Sequence, residues 1–162
     1  MISIDFKLLP QHVRILQVQI DQAVKKSTSD FPKAILLFDV NGVNMGGYHN
    51  SAQETPILAF GMGLIFILNR VEPDGGHLLW HEDGEGGDLQ FQRNGEDTIT
   101  LSSTSNDIEA TCDFDELKRA AECFGQHLLT YFEENFPEYV RAHPYLRSKL
   151  SAPSAERSEI DV

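Results

Sequence analysis

Between residues 75 and 112 the chain is interrupted at near-regular intervals by turn-forming clusters, and the residues between them alternate in polarity. Gly75-Gly76, Gly84 to Gly87, Asn94-Gly95 and Ser102 to Asn106 bound four runs, 77–82 (HLLWHE), 88–93 (DLQFQR), 97–102 (DTITLS) and 107–112 (DIEATC). Leu89 and Phe91, Ile99 and Leu101, and Ile108 and Ala110 are each separated by a polar neighbour. A period of two sends successive side chains to opposite faces of a strand, so this stretch predicts a four-strand antiparallel meander with one wet face.

The strongest helical pattern follows directly. Leu117, Ala121, Phe124, Leu128, Tyr131 and Phe132 recur at spacings of three and four, and Asp113 with Glu116 three residues on has the form of a capping box. Pro137 ends or kinks this helix, and Tyr139, Val140, Tyr145 and Leu146 suit a short C-terminal helix that packs back.

Earlier in the chain, Ile2, Ile4, Phe6 and Leu8 alternate with Ser3, Asp5 and Lys7, and residues 12–20 offer Val13, Ile15, Val18 and Ile20 with a phase change at Leu16. Read at period two, these segments predict an opening hairpin turned at Pro10-Gln11, with a bulge near Leu16. Residues 21–33 are polar and read as a mobile loop. Asn41-Gly42 lies between two β-prone runs in 34–48, the signature of a type I′ hairpin, whose two turn positions both need positive φ.

Thr55-Pro56 supplies a cap and a proline for the first helical position, and Ile57, Phe60, Leu64, Leu68 and Val71 then fall on one stripe. Gly61 and Gly63 each cost a helix about 1 kcal/mol relative to alanine, so they either admit close packing on a sheet or mark a strand. The capping signals favour helix. The expected fold is therefore α+β, an antiparallel sheet made of N-terminal hairpins plus the four-strand meander and covered on one side by two main helices. One globular domain spans 1–150, and Ser151 to Val162 has too few apolar residues to offset ordering entropy and reads as a disordered tail.

The meander also holds the whole net charge. Residues 72–116 carry 13 carboxylates against one base, Arg93, while the formal charge of the 162-residue chain is −12, so the remaining residues balance. A one-signed field confined to one region steers and selects a partner, whereas the same charge spread evenly mostly aids solubility. Nucleic acid is excluded as a partner, because the basic groupings are only Lys25-Lys26 and Arg141, Arg147 and Lys149, and anionic membranes are disfavoured on the same ground. The longest apolar run, Pro56 to Leu68, is 13 residues, short of the roughly 20 that span a bilayer. With no export signal in MISIDFKLLPQHVR, a cytoplasmic location is the expectation.

Tests for chemistry end negatively. His77, His81, Glu82 and Asp83 suggest a metal site, but on a strand positions four apart lie roughly 13 Å from each other, too far to share one ion. Trp80, pointing the other way, reads as a core anchor. Cys112 and Cys123 read as buried thiols, with Asp113, Asp115 and Glu116 disfavouring a thiolate at Cys112. No Gly-x-Ser-x-Gly elbow and no phosphate loop is present, and no catalytic residue, cofactor or metal is assigned.

The expectation is a small acidic non-catalytic protein that binds a basic macromolecular partner through Glu82, Asp83, Glu85, Asp88, Glu96 and Asp97. In size and charge alone it is similar in character to small acidic proteins that neutralise basic toxins, such as bacterial immunity proteins, and no motif carries that likeness. The alternative is a small-molecule-binding or enzymatic domain with a pocket between the sheet and the 56–71 helix, rimmed by His77, His81 and Trp80. A third reading assigns the acidic surface to solubility alone. An open edge of the meander would also allow a homo-oligomer.

Overall fold

A computed structural model describes residues 1–48, 54–79 and 88–151. Strand β1 (Ile2–Leu8) keeps the alternation of its sequence, with Ile2, Ile4, Phe6 and Leu8 half-buried and Ser3, Asp5 and Lys7 exposed. It pairs antiparallel along its whole length with β2 (Lys33–Val40), Ile2 opposite Val40 and Leu8 opposite Ala34. The Asn41-Gly42 turn, at φ of 51° and 87°, leads into β3 (Val43–Asn44) as the dipeptide predicts. A short β4 (Glu54–Pro56) also pairs with β2 and completes a four-stranded sheet.

The expected meander forms a second antiparallel sheet, in the order β5 (Gly76–Leu79), β6 (Leu89–Asn94), β7 (Thr98–Ser103) and β8 (Glu109–Asp113). Leu89, Phe91, Ile99, Leu101, Ala110 and Cys112 make its buried face. The architecture is thus α+β, with antiparallel strands divided between two sheets.

Residues 12–20 are not a strand. They belong to α1 (Pro10–Val18), followed by the single turn α2 (Ile20–Ala23). Pro10 occupies the first helical position, where its missing N–H costs nothing, and Val13, Leu16, Ile20 and Ala23 share a stripe at helical spacing. Leu16 is therefore a buried helix residue, not a bulge. The segment beyond α2 is tied down rather than loose: Phe31 and Thr28 are buried, Thr28 Oγ1 lies 2.7 Å from Tyr145 Oη, and Tyr139 Oη donates to the Phe31 carbonyl at 3.2 Å.

The two main helices are α3 (Ile57–Leu68) and α4 (Phe114–Asn135). Helix α3 starts one residue later than the Thr55 cap implies: Thr55 is buried in β4 and Pro56 holds the cap position. Its glycines mark close contacts, since a Cβ on Gly61 would lie 2.7 Å from Leu128 Cδ1 and one on Gly63 2.5 Å from Leu79 Cδ1. Helix α4 is capped as expected, Asp113 Oδ1 accepting from Glu116 N at 2.8 Å, and Pro137 opens α5 (Pro137–Ala142). The last helix, α6 (Tyr145–Leu150), returns Leu146 and Leu150 to a core continuous from Leu16 to Leu150. No described helix is long and apolar enough to cross a membrane. The tail assigned to disorder lies, after Ser151, outside the described residues.

Gly125, buried in α4, tests this packing. A Cβ there would overlap the Leu150 carbonyl oxygen and come within 2.5 Å of Ile65 Cδ1. Replacing a helical glycine by alanine ordinarily gains up to about 1 kcal/mol of helix propensity. Here Gly125→Ala is expected instead to lose about 1–3 kcal/mol through overpacking, read as a lower urea midpoint at unchanged m-value.

Candidate acidic end and adjoining cleft

The carboxylates avoid the middle of the meander's outer face. Its central rows are Gln90 and Gln92 on β6, Thr98, Thr100 and Ser102 on β7, and Thr111 on β8, all neutral. They are joined by Thr100 Oγ1 to Thr111 Oγ1 at 2.8 Å and by Asn94 Nδ2 donating to Thr100 Oγ1 at 3.0 Å. Charge collects at the two ends, and the strand register decides which end each group joins.

Gly76 pairs with Gln92, Asn94 with Thr98, and Thr98 with Asp113, so the start of β5, the β6–β7 turn and the β8–α4 junction meet at one end. Seven carboxylates lie there: Glu72, Asp74, Glu96, Asp97, Asp113, Asp115 and Glu116. Asp88, Asp107 and Glu109 lie at the other end, about 20 Å away along the six residues of β6. Of the six residues singled out from sequence, Glu96 and Asp97 stand together, Asp88 is at the opposite end, and Glu82, Asp83 and Glu85 lie outside the described residues. Asp74, Asp115 and Glu116 were not picked, because only the register places them beside Glu96.

The acidic end is held by main-chain bonds and one guanidinium. Gly95 N donates to Asp74 Oδ1 at 2.8 Å, Gln92 Nε2 to the Asp74 carbonyl at 3.1 Å, and Phe114 N to the Asp97 carbonyl at 2.8 Å. Arg93, the single base of the stretch, sends Nη1 to the Val71 carbonyl and Nη2 to the Glu96 carbonyl, each at 3.0 Å. Its guanidinium carbon lies 3.9 Å from the Phe114 ring centroid. Arg93 therefore serves as a clamp on carbonyls and, among the described residues, makes no ion pair with a carboxylate. Among the described residues the one ion pair at this end is the terminal ammonium of Met1 with Glu116, at 3.6 Å and exposed. The α4 N-terminus meanwhile favours negative charge at Asp113, Asp115 and Glu116.

A second feature adjoins β5. A cleft of about 310 Å³ opens between α3 and β5, lined chiefly by Tyr48, Phe60, Phe66, Ile67, His77 and Leu79. Tyr48 is buried and its ring stacks on Phe60 at 6.3 Å, while His77 is exposed at the rim. Trp80 and His81, the other rim residues expected from sequence, lie outside the described residues. Tyr48 and Phe66 could not be assigned to a cleft from sequence, since they are brought to it from a hairpin exit and from the outer side of α3.

The cysteines differ from expectation in one respect. Cys112 is buried, and its thiol is pushed up to about 11 by burial first and then by Glu116 and Asp113. Cys123 is exposed, because it falls on the side of α4 turned from the core. His143 is buried with Nδ1 3.0 Å from the Tyr139 carbonyl oxygen, which gives it a structural partner. Compared with protein-family models, curated proteins and solved structures, the chain gives no significant match.

The clamp has a direct test. Arg93→Lys keeps the charge but cannot span two carbonyls as a planar fork, and is expected to cost about 1–2 kcal/mol, with Arg93→Ala costing about 2–3 kcal/mol. Equilibrium denaturation of both variants measures it, and a lysine variant as stable as the parent would remove the clamp role.

Proposed function

We propose that this is a non-catalytic binding protein that takes a basic macromolecular partner through the acidic end of its meander. The reading is supported by one observation above all. Seven carboxylates share that end, and the only base within the stretch is engaged with carbonyls and an aromatic ring. Asp74 and Asp113 accept local amide bonds and stiffen the scaffold. Glu72, Glu96, Asp97 and Asp115 project from turns and from the first turn of α4 and present the charge outward. A one-signed patch on short, stitched turns favours fast, oriented encounter with a cationic surface.

The test is affinity capture from the native host at low salt, followed by binding measurements on the retained protein. A basic partner is expected, with affinity falling about tenfold or more between low and near-physiological ionic strength. The combined variant Glu72→Gln, Glu96→Gln, Asp97→Asn and Asp115→Asn should lose that binding while remaining folded. Retention of no basic protein, or binding indifferent both to salt and to the four substitutions, would defeat the proposal.

A second reading has its own support, the aromatic cleft beside His77. It assigns the protein a small apolar or aromatic ligand, with His77 providing a polar contact at the mouth. Fragment screening by NMR should then shift the His77 and Phe66 resonances, and Ala59→Trp, which fills the cleft from α3, should abolish the shifts. Fragments that perturb neither residue would rule this ligand site out.

A further inference from the structure

The free edge of β1 has a polarity that can be read from two hydrogen bonds. Asn41 N donates to the Met1 carbonyl at 2.8 Å, continuing the β1–β2 ladder, so the odd positions of β1 turn their main-chain groups toward β2. The even positions, Ile2, Ile4, Phe6 and Leu8, then turn theirs outward. Phe6 bears this out, its N–H being taken at 2.8 Å by the side chain of the preceding residue, Asp5 Oδ1. Among the described residues no strand pairs with this edge. Beside it runs an open groove of about 460 Å³ toward α4, bordered by Ile2, Ile4, Ala120, Cys123 and His127.

We infer that two copies of this chain pair antiparallel through this edge, about a two-fold axis at Phe6, with Asp5 of each copy facing Lys7 of the other. Outward main-chain groups must meet outward groups, which puts a symmetric axis at a residue rather than between two, and overlap of most of the seven-residue strand then leaves Ile4, Asp5 or Phe6. An axis at Asp5 sets two carboxylates face to face, and one at Ile4 sets Asp5 opposite Ser3 and leaves Lys7 without a carboxylate. The axis at Phe6 alone makes the charges complementary, because Asp5 and Lys7 exchange places across the join. It also sets Ile4 opposite Leu8 and Phe6 opposite Phe6, and forms about six main-chain hydrogen bonds. Phe6 must give up its bond to Asp5, whose carboxylate also leaves His127 Nε2, 3.5 Å away at this edge, and turns to the facing lysine. The two four-stranded sheets become one continuous sheet, and the small side chains of Ala120 and Cys123 leave room beside the join. The join runs from Ile4 to Leu8, and none of the seven carboxylates of the acidic end takes part in it, so either proposal can fail without the other.

Sedimentation equilibrium of the full chain from micromolar to submillimolar concentration tests the pairing. The parent should dimerise reversibly, and Asp5→Lys or Lys7→Asp, each setting like charges face to face twice, should weaken association on the order of tenfold or more. The exchanged double variant Asp5→Lys/Lys7→Asp should recover the parent's affinity to within about threefold. Both residues are exposed, so folding is expected to survive. A parent that stays monomeric, single variants that dimerise like the parent, or a double variant no better than the singles would each overturn the inference. A monomer whose Cys123 is labelled faster after removal of residues 152–162 would also overturn it and assign the groove to the chain's own C-terminus.

Discussion

Helix α3 sets the terms for everything around it. Its twelve residues, ILAFGMGLIFIL, contain no charged or strongly polar group, so a single sheet laid against one side would leave most of the helix in water. A helix apolar all round must be covered all round. The fold meets this demand by placing β2 of the first sheet against it through Phe38 and Phe60, β5 of the second against Gly63, and α4 and α6 against Gly61. Phe66 alone among its large side chains is exposed, 52% accessible, and the Arg70 guanidinium lies over that ring at 4.4 Å. Two sheets and two helices therefore share the cover, β2 and β5 meeting neighbouring parts of α3 at Phe60 and Gly63, and α4 with α6 meeting its Gly61 side.

The acidic end depends on that arrangement. Because the meander buries Leu89, Phe91, Ile99 and Leu101 against the core, its register cannot slip by one residue without exposing all of them. The register in turn brings Asp74, Glu96, Asp97 and the α4 N-terminus together. Like charges gathered on turns repel one another, and the bonds of Arg93, Gly95 and Phe114 to this end hold the turns in place largely through main-chain groups.

Sequence patterns are most legible where two physical signals agree and none competes. The meander, the Asn41-Gly42 hairpin and α4 with its Asp113 cap each combine a clear period with a specific turn or cap residue, and all three appear as read. Residues 12–20 carry two patterns at once: Val13, Ile15, Val18 and Ile20 are β-branched and fit period two, while Val13, Leu16, Ile20 and Ala23 fit the helical period equally well. Pro10, which suits a turn as well as a first helical position, decides for the helix. The six acidic residues chosen from sequence were chosen by proximity along the chain, and an antiparallel sheet sends neighbours such as Asp88 and Glu96 to opposite ends.

What this sequence determines by itself is local: the strands of the meander, the long helix α4, where the Asn41-Gly42 turn with positive φ falls, and that the net charge belongs to residues 72–116. These depend on side-chain period and backbone preference, which act over a few residues. Tertiary structure alone decided that β1 pairs with β2 across the 24 residues between Leu8 and Lys33, that seven carboxylates converge on one end, and that Tyr48, Phe66 and His77 border one cleft. The physical reason is that strand register and the packing around α3 are set by burial of the whole core, and no short window of sequence contains that constraint.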